Sequence, residues 1–179
     1  MRKQPVLLLM VALFTISTSS HAQVHSFDAG LRFQKSIGLY LENGLTAHYN
    51  LTTRWILGAT YVTSRLGTAM GSNAIKQDNI FVSGAYKFRP AHALQPFVRA
   101  SLGYFTADYE APVFKTLPHS SAIIALDGGL MYAFKSSLKI NGSLGYNIIS
   151  GDGESGAGTL YPVFYQASVT YNISKIFSK

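Results

Sequence analysis

Few side chains in this sequence are spaced to do covalent chemistry. The nearest approach is His119-Ser120-Ser121, where an imidazole beside a hydroxyl supplies the base and nucleophile of a hydrolase in His119 and Ser121. Such a pair needs a third group to orient the imidazole, and the spacing places none. Gly151-Asp152-Gly153-Glu154-Ser155-Gly156 matches the Gly-x-Gly-x-x-Gly spacing of dinucleotide sites. No helix-forming stretch follows it to present an N-terminal dipole, however, and Asp152 and Glu154 would repel a phosphate. Those two carboxylates also fall short of the six or more oxygens that calcium takes. The chain has no cysteine, which removes thiol nucleophiles, disulfides and thiolate-bound metals. The expectation is a protein without catalytic residues, metal or cofactor.

The remaining residues of interest are six charges, Asp28, Arg32, Lys87, Arg99, Asp127 and Lys139, all on the parity opposite to the larger apolar set of their runs. They stand out because charge is scarce. Only 13% of the 179 residues are charged, against roughly 25% in a typical soluble domain, while 47% are hydrophobic. Aromatics reach 13%, with 11 Tyr, 11 Phe and a single Trp. A soluble protein so poor in charge would struggle to keep its surface wet; a protein with a lipid-facing surface would not. The formal charge is +7, or +5 without Arg2 and Lys3, and the bases are scattered, so no nucleic-acid patch is indicated.

What must position the six charges is a set of strands. Residues 1–22 read as a secretory signal: Arg2 and Lys3, an apolar core from Pro5 to Ile16, and a small-residue site at Ser20-His21-Ala22. That core is short of the ~20 residues a spanning helix needs. In the expected mature domain, 23–179, apolar residues recur with period two rather than 3.6. Leu138-Lys139-Ile140-Asn141-Gly142-Ser143-Leu144-Gly145-Tyr146-Asn147-Ile148 shows the pattern, with one face for grease and one for a polar setting. Eight such runs are expected: 26–34, 41–51, 55–64, 79–88, 96–105, 121–134, 138–149 and 160–173. Most have the length a tilted strand needs to cross a hydrocarbon layer. Connections near 52–54, 89–95 and 135–137 are short; those near 35–40, 65–78, 106–120 and 150–159 are mostly longer. Short turns at one end and long loops at the other predict an all-β, eight-stranded antiparallel up-and-down transmembrane β-barrel of the bacterial outer membrane, with its N-terminus in the periplasm.

Parity then sorts the side chains. The lipid-facing set carries no charge, which matters because Lys or Arg at mid-bilayer costs ~2–4 kcal/mol. Its aromatics fall into two belts, Tyr49, Trp55, Phe88, Phe134 and Tyr171 near the short turns, and Tyr61, Tyr104, Tyr146 and Tyr165 toward the long loops. The opposite parity holds Asp28, Arg32, Lys87, Arg99, Asp127 and Lys139 with His48, Gln166, Thr170 and Asn172. An eight-stranded barrel is filled by its own side chains. Asp28 and Asp127 are therefore expected to pair with interior Arg and Lys.

Gly44-Leu45-Thr46-Ala47-His48-Tyr49-Asn50-Leu51-Thr52-Thr53-Arg54-Trp55 forms a strand, tight turn and strand; with Gln95-Pro96-Phe97-Val98-Arg99, Gly103-Tyr104 and Leu126-Asp127-Gly128-Gly129-Leu130 it resembles the small outer-membrane β-barrel family, the OmpA-type transmembrane domains and OmpX-like proteins. The resemblance covers nearly all of the expected mature chain. Ser168-Val169-Thr170-Tyr171-Asn172-Ile173 is similar to the terminal strand read by the barrel-assembly machinery, though Ser168 replaces the usual Gly and Ser174 to Lys179 extend past the usual aromatic end. The resemblance implies a non-enzymatic, narrow barrel in contact with outer-membrane lipids and the assembly machinery, its loops at 65–78, 106–120 and 150–159 carrying any recognition of an external ligand the sequence does not identify. Two alternatives are a lipid-modifying hydrolase built on His119 and Ser121, and a soluble secreted barrel with a small apolar ligand inside.

Overall fold

A computed structural model describes residues 25–36, 41–67, 73–109, 119–149 and 163–174. It contains eight strands: β1 (Ser26–Ser36), β2 (Leu41–Asn50), β3 (Trp55–Gly67), β4 (Asn73–Lys87), β5 (Leu94–Tyr109), β6 (Ser120–Ala133), β7 (Leu138–Ile149) and β8 (Val163–Asn172). Each pairs antiparallel with its sequence neighbours, and β1 pairs with β8, so the sheet closes on itself with no edge. No described helix is long and apolar enough to cross a membrane; the closed ring of strands bonds its backbone groups to one another and needs no water to do so.

The register sets the shape. Ile173 donates its amide to the Phe27 carbonyl at 2.9 Å. From Phe27 the line of partners runs through Tyr49, Leu57, Gly84, Ala100, Leu126 and Tyr146 and returns to β8 at Val163, ten residues from where it began. With eight strands, that stagger tilts them by about 40° and leaves an interior just wide enough for side chains.

The strands differ from expectation mainly at the long-loop end. The stretch 65–78, read as a loop, is largely strand: β3 continues to Gly67 and β4 begins at Asn73, with a register shift at Leu66/Gly67. Likewise β5 runs on to Tyr109. The polarity of Lys76, Gln77, Asp78 and Asp108 suggested loops, but once a ladder rises clear of lipid its side chains need not be apolar. Expected loop residues 37–40, 68–72, 110–118 and 150–159, the expected signal 1–22 and the Gly151–Gly156 motif lie outside the described residues. The three short connections, 51–54, 88–93 and 134–137, stand close to where they were expected.

Packing inside so narrow a cylinder works by large-against-small pairing, because inward side chains converge. Three interior phenylalanines each face a glycine directly across the ladder: Phe81 and Gly103, Phe97 and Gly129, Phe164 and Gly145. A Cβ on Gly103 would lie 2.4 Å from the Phe81 ring, and one on Gly145 would lie 2.4 Å from the Phe164 ring and 2.5 Å from the Asp127 Cβ. On the outer wall the situation reverses, and a Cβ on Gly84 would meet no atom within 4 Å. We expect Gly145→Val to destabilise the folded barrel by about 1–3 kcal/mol through overpacking, and Gly84→Val to change it by no more than about 0.5 kcal/mol. Urea unfolding midpoints of the two variants, reconstituted in lipid vesicles, test this; equal effects would refute the glycine–ring packing.

Candidate functional site: a filled interior inside an apolar wall

The outward parity of all eight strands presents an apolar band. Leu31, Leu45, Leu57, Val82, Leu102, Leu126, Leu144 and Val169 are among its exposed residues. All nine belt residues, Tyr49, Trp55, Tyr61, Phe88, Tyr104, Phe134, Tyr146, Tyr165 and Tyr171, are exposed on that wall. The lower belt is tied by edge-to-face contacts in which Tyr86 stands between Trp55 and Phe88, with centroids 5.1 and 5.3 Å apart, and Tyr132 meets Phe134 at 4.7 Å. An exterior of this kind is the reverse of a soluble barrel's.

Inside, Asp28, Arg32, Lys87, Arg99 and Asp127 are buried, and Lys139 is half-buried. Arg99 and Asp127 face each other across the β5–β6 ladder, and the guanidinium holds both carboxylate oxygens, Nε to Oδ1 at 2.8 Å and Nη2 to Oδ2 at 2.6 Å. Lys139 reaches from β7 past β8 to Asp28 on β1, Nζ to Oδ2 at 2.5 Å. Asn50 donates to the same oxygen at 2.8 Å. Among the described residues Arg32 takes no direct carboxylate partner: its Nη2 donates to Gln34 Oε1 at 2.5 Å, and Gln34 Nε2 donates to Glu42 Oε2 at 2.7 Å. An amide thus joins the cation to a carboxylate across the β1–β2 hairpin. Glu42 is 1% exposed, and the sequence reading missed it. The signal was available, since the parity of Leu45, Ala47 and Tyr49 turns position 42 inward. Lys87 contacts no carboxylate among the described residues. His48 shares a hydrogen bond with Thr46 at 3.1 Å, and Thr46 another with Thr60 at 2.9 Å.

The interior is not uniformly polar, as parity had led us to expect. Val62, Phe81, Phe105, Ile123, Ala125 and Phe164 form one apolar cluster, and Ile56, Ala85, Phe97 and Met131 a second. Most of these lie on β3 to β6, while the inner faces of β1, β2, β7 and β8 are mainly polar. The two sides meet at the cations, since the Arg32 guanidinium lies 6.0 Å from the Phe81 ring centroid and that of Arg99 lies 5.5 Å from Phe97. Between them a void of about 10 Å³ remains, bordered by His48, Ser83, Arg99 and Asn141. That is room for roughly one water.

The candidate hydrolase residues do not converge on shared chemistry. Ser121 points into the barrel wall, buried, and its hydroxyl donates to the Ala122 carbonyl at 3.0 Å. His119 is exposed at the rim and donates from Nδ1 to the Ala107 carbonyl at 3.3 Å. The described residues contain no group of three metal-ligating side chains.

Removing one partner of the Arg99–Asp127 pair strands a buried charge. Asp127→Ala is expected to cost about 3–5 kcal/mol in unfolding free energy, and Arg99→Met with Asp127→Leu to regain most of it. A double-mutant cycle by urea denaturation in vesicles measures this; a double variant no more stable than the single would show that pairing is not what the site requires.

No protein-family model matches the sequence, and no curated relative matches it. Solved structures do match. The N-terminal β-barrel domain of Pseudomonas aeruginosa OprF superposes with a TM-score of 0.63 at 15% identity, covering 83% of this chain and 98% of that one. Neisserial surface protein A gives 0.56 at 18%, covering 82% and 94%. A de novo designed transmembrane β-barrel gives 0.55 at 11%, covering 87% and 99%. The common factor is architecture, and it agrees with the polarity of the wall: this chain has the fold of the small eight-stranded barrels of the bacterial outer membrane.

Proposed function

We propose that the protein is a non-enzymatic outer-membrane barrel, closed to solutes, that works through its surfaces. The observation that carries this reading is the partition of charge. Between the aromatic belts the outer wall is uncharged, while inside, Arg99–Asp127 and Lys139–Asp28 are paired and Phe81, Phe97, Phe105 and Phe164 plug the bore. A bore so filled cannot serve as a pore for nutrients, and the wall is built to hold lipid. The strands β3, β4 and β5, which run past their neighbours, form a rigid stalk beneath the loops that would meet an external ligand, in keeping with loops varying on a fixed scaffold. Residues 1–22 act as the export signal and 23–179 as the barrel domain in this reading, with β8 read by the assembly machinery. An envelope-stabilising or binding role fits this arrangement better than lipid hydrolysis, because the Ser121 hydroxyl is turned inward onto a backbone carbonyl.

Cells making the full chain should place it in the outer-membrane fraction as a band whose gel mobility changes on boiling. The purified barrel in planar bilayers should show no sustained large single-channel current. Recovery in the soluble periplasm, or a steady open conductance, would overturn this reading.

A further inference from the structure

On the outer wall, residues of β3 to β8 line a groove of about 750 Å³. Gly84 on β4, Ala100 on β5 and Gly128 on β6 make the floor, Trp55 and Tyr86 form its lower lip, and Tyr146 on β7 its upper end. Nothing inside the protein demands the two glycines. A Cβ on Gly84 would meet no atom within 4 Å, and one on Gly128 would make only ordinary contacts, the nearest at 3.7 Å. The inward glycines, by contrast, are enforced by neighbours at 1.9 to 2.6 Å. The hollow at Gly84 and Gly128 is therefore space left open toward the membrane rather than a by-product of packing.

The groove also has a direction. Gly84 is three residues from the short-turn end of β4, Ala100 six from that end of β5, and Tyr146 eight from that end of β7. The register line from Gly84 through Ala100 and Leu126 to Tyr146 thus climbs away from the short-turn rim as it crosses from β4 to β7. Three strand spacings make a path of about 14 Å, which, with strands tilted by about 40°, rises about 9 Å along the barrel axis, more than half of one leaflet of a hydrocarbon core about 30 Å deep. At the lower lip the Arg54 guanidinium donates from Nη1 to the Tyr86 hydroxyl at 3.0 Å. Arg54 is exposed, and no carboxylate contacts it among the described residues. The three short turns, 51–54, 88–93 and 134–137, carry Arg54, Arg89 and Lys135 and contain no Asp or Glu. An apolar channel rising through part of one leaflet thus opens at its foot on three short turns that carry positive charge and no carboxylate.

We propose that this groove binds one acyl chain of an anionic phospholipid of the periplasmic leaflet, with its phosphate on Arg54. This rests on the outer-membrane reading above and adds to it a defined lipid site. A net-negative headgroup is favoured over a zwitterionic one because Arg54, at the lip, has no carboxylate partner among the described residues. The chain supplies the apolar contact, and Arg54, steadied by Tyr86, fixes the headgroup at the lip.

The only tryptophan, Trp55, lines the groove and reports its occupant directly. The mature protein would be inserted into phosphatidylcholine vesicles holding a minority of phosphatidylglycerol. Trp55 fluorescence would be compared when the brominated chains are on the phosphatidylglycerol and when an equal mole fraction is on the phosphatidylcholine. The expected result is about fivefold enrichment of the anionic lipid at Trp55, the effect of one basic side chain at an anionic surface. Arg54→Gln, at an exposed turn, should bring the two lipids to parity. Gly84→Leu, which fills the floor, should weaken quenching by phosphatidylglycerol chains. Equal quenching by both lipids in the unaltered protein, or a preference that survives Arg54→Gln, overturns the site. Insertion is read separately from the heat-dependent gel shift: a shifted band with no preference sinks the lipid site alone, and no insertion sinks the barrel reading together with it.

Discussion

Everything in this molecule follows from the requirement that a backbone crossing lipid must satisfy its own hydrogen bonds. A single polypeptide of this length meets it by closing eight strands into a ring, with β1 paired to β8. Closure at eight strands with a stagger of ten makes the cylinder narrow. Narrowness in turn means that the inside is not a space to be lined but a volume to be packed. The same constraint that removes the sheet's edges therefore dictates that inward residues be chosen in complementary pairs. That is why Phe81, Phe97 and Phe164 each stand opposite a glycine.

Charges inside such a plug could have been avoided, and their arrangement shows what makes them tolerable. Arg99 and Asp127 are register partners, so the backbone already places them before any side chain is ordered. Lys139 and Asp28 are not neighbours in the sheet, and Lys139 uses its long stem to span β8 near the short-turn mouth. Arg32 and Glu42 are joined through Gln34, which donates to one and accepts from the other. Buried pairs contribute little net stability over apolar residues of the same volume, but they penalise any register in which a charge would stand alone. In a barrel where a one-residue slip would turn every charge into the lipid, that penalty acts in favour of a single closed state.

The alternation of apolar and polar residues made most of this fold legible, because period two on a strand converts directly into inside and outside. Asp28, Arg99 and Leu126 could be assigned to their sides of the wall from parity alone, and so could the aromatics of both belts. Two features were not legible, each for a physical reason. The continuation of β3 and β4 through Lys76, Gln77 and Asp78 was hidden because outside the bilayer a strand loses its apolar face and looks like a loop. The apolar half of the interior, from Ile56 to Met131, was hidden because a residue facing inward onto a phenylalanine obeys the same preferences as one facing lipid. Parity places a residue; it does not say whether its neighbours across the bore are charged or greasy. Pairings such as Lys139 with Asp28 depend on reach across a third strand, which no local pattern encodes.

The outer wall deserves the same reasoning as the bore. Inside, Gly103, Gly129 and Gly145 each have a phenylalanine as partner, since space left empty there forfeits contact with nothing to replace it. Outside, lipid can fill any hollow, so packing within the protein places no limit on residue size. Small residues gathered there, as at Gly84, Ala100 and Gly128, are therefore free choices as far as the barrel's own stability is concerned. Their coincidence with the lip formed by Trp55 and Tyr86, and with a periplasmic rim whose turns carry only positive charge, ties the shape of the wall to the chemistry of one leaflet. A barrel whose bore is shut can still distinguish among the molecules around it, and on this chain the means of doing so lie on its outer face.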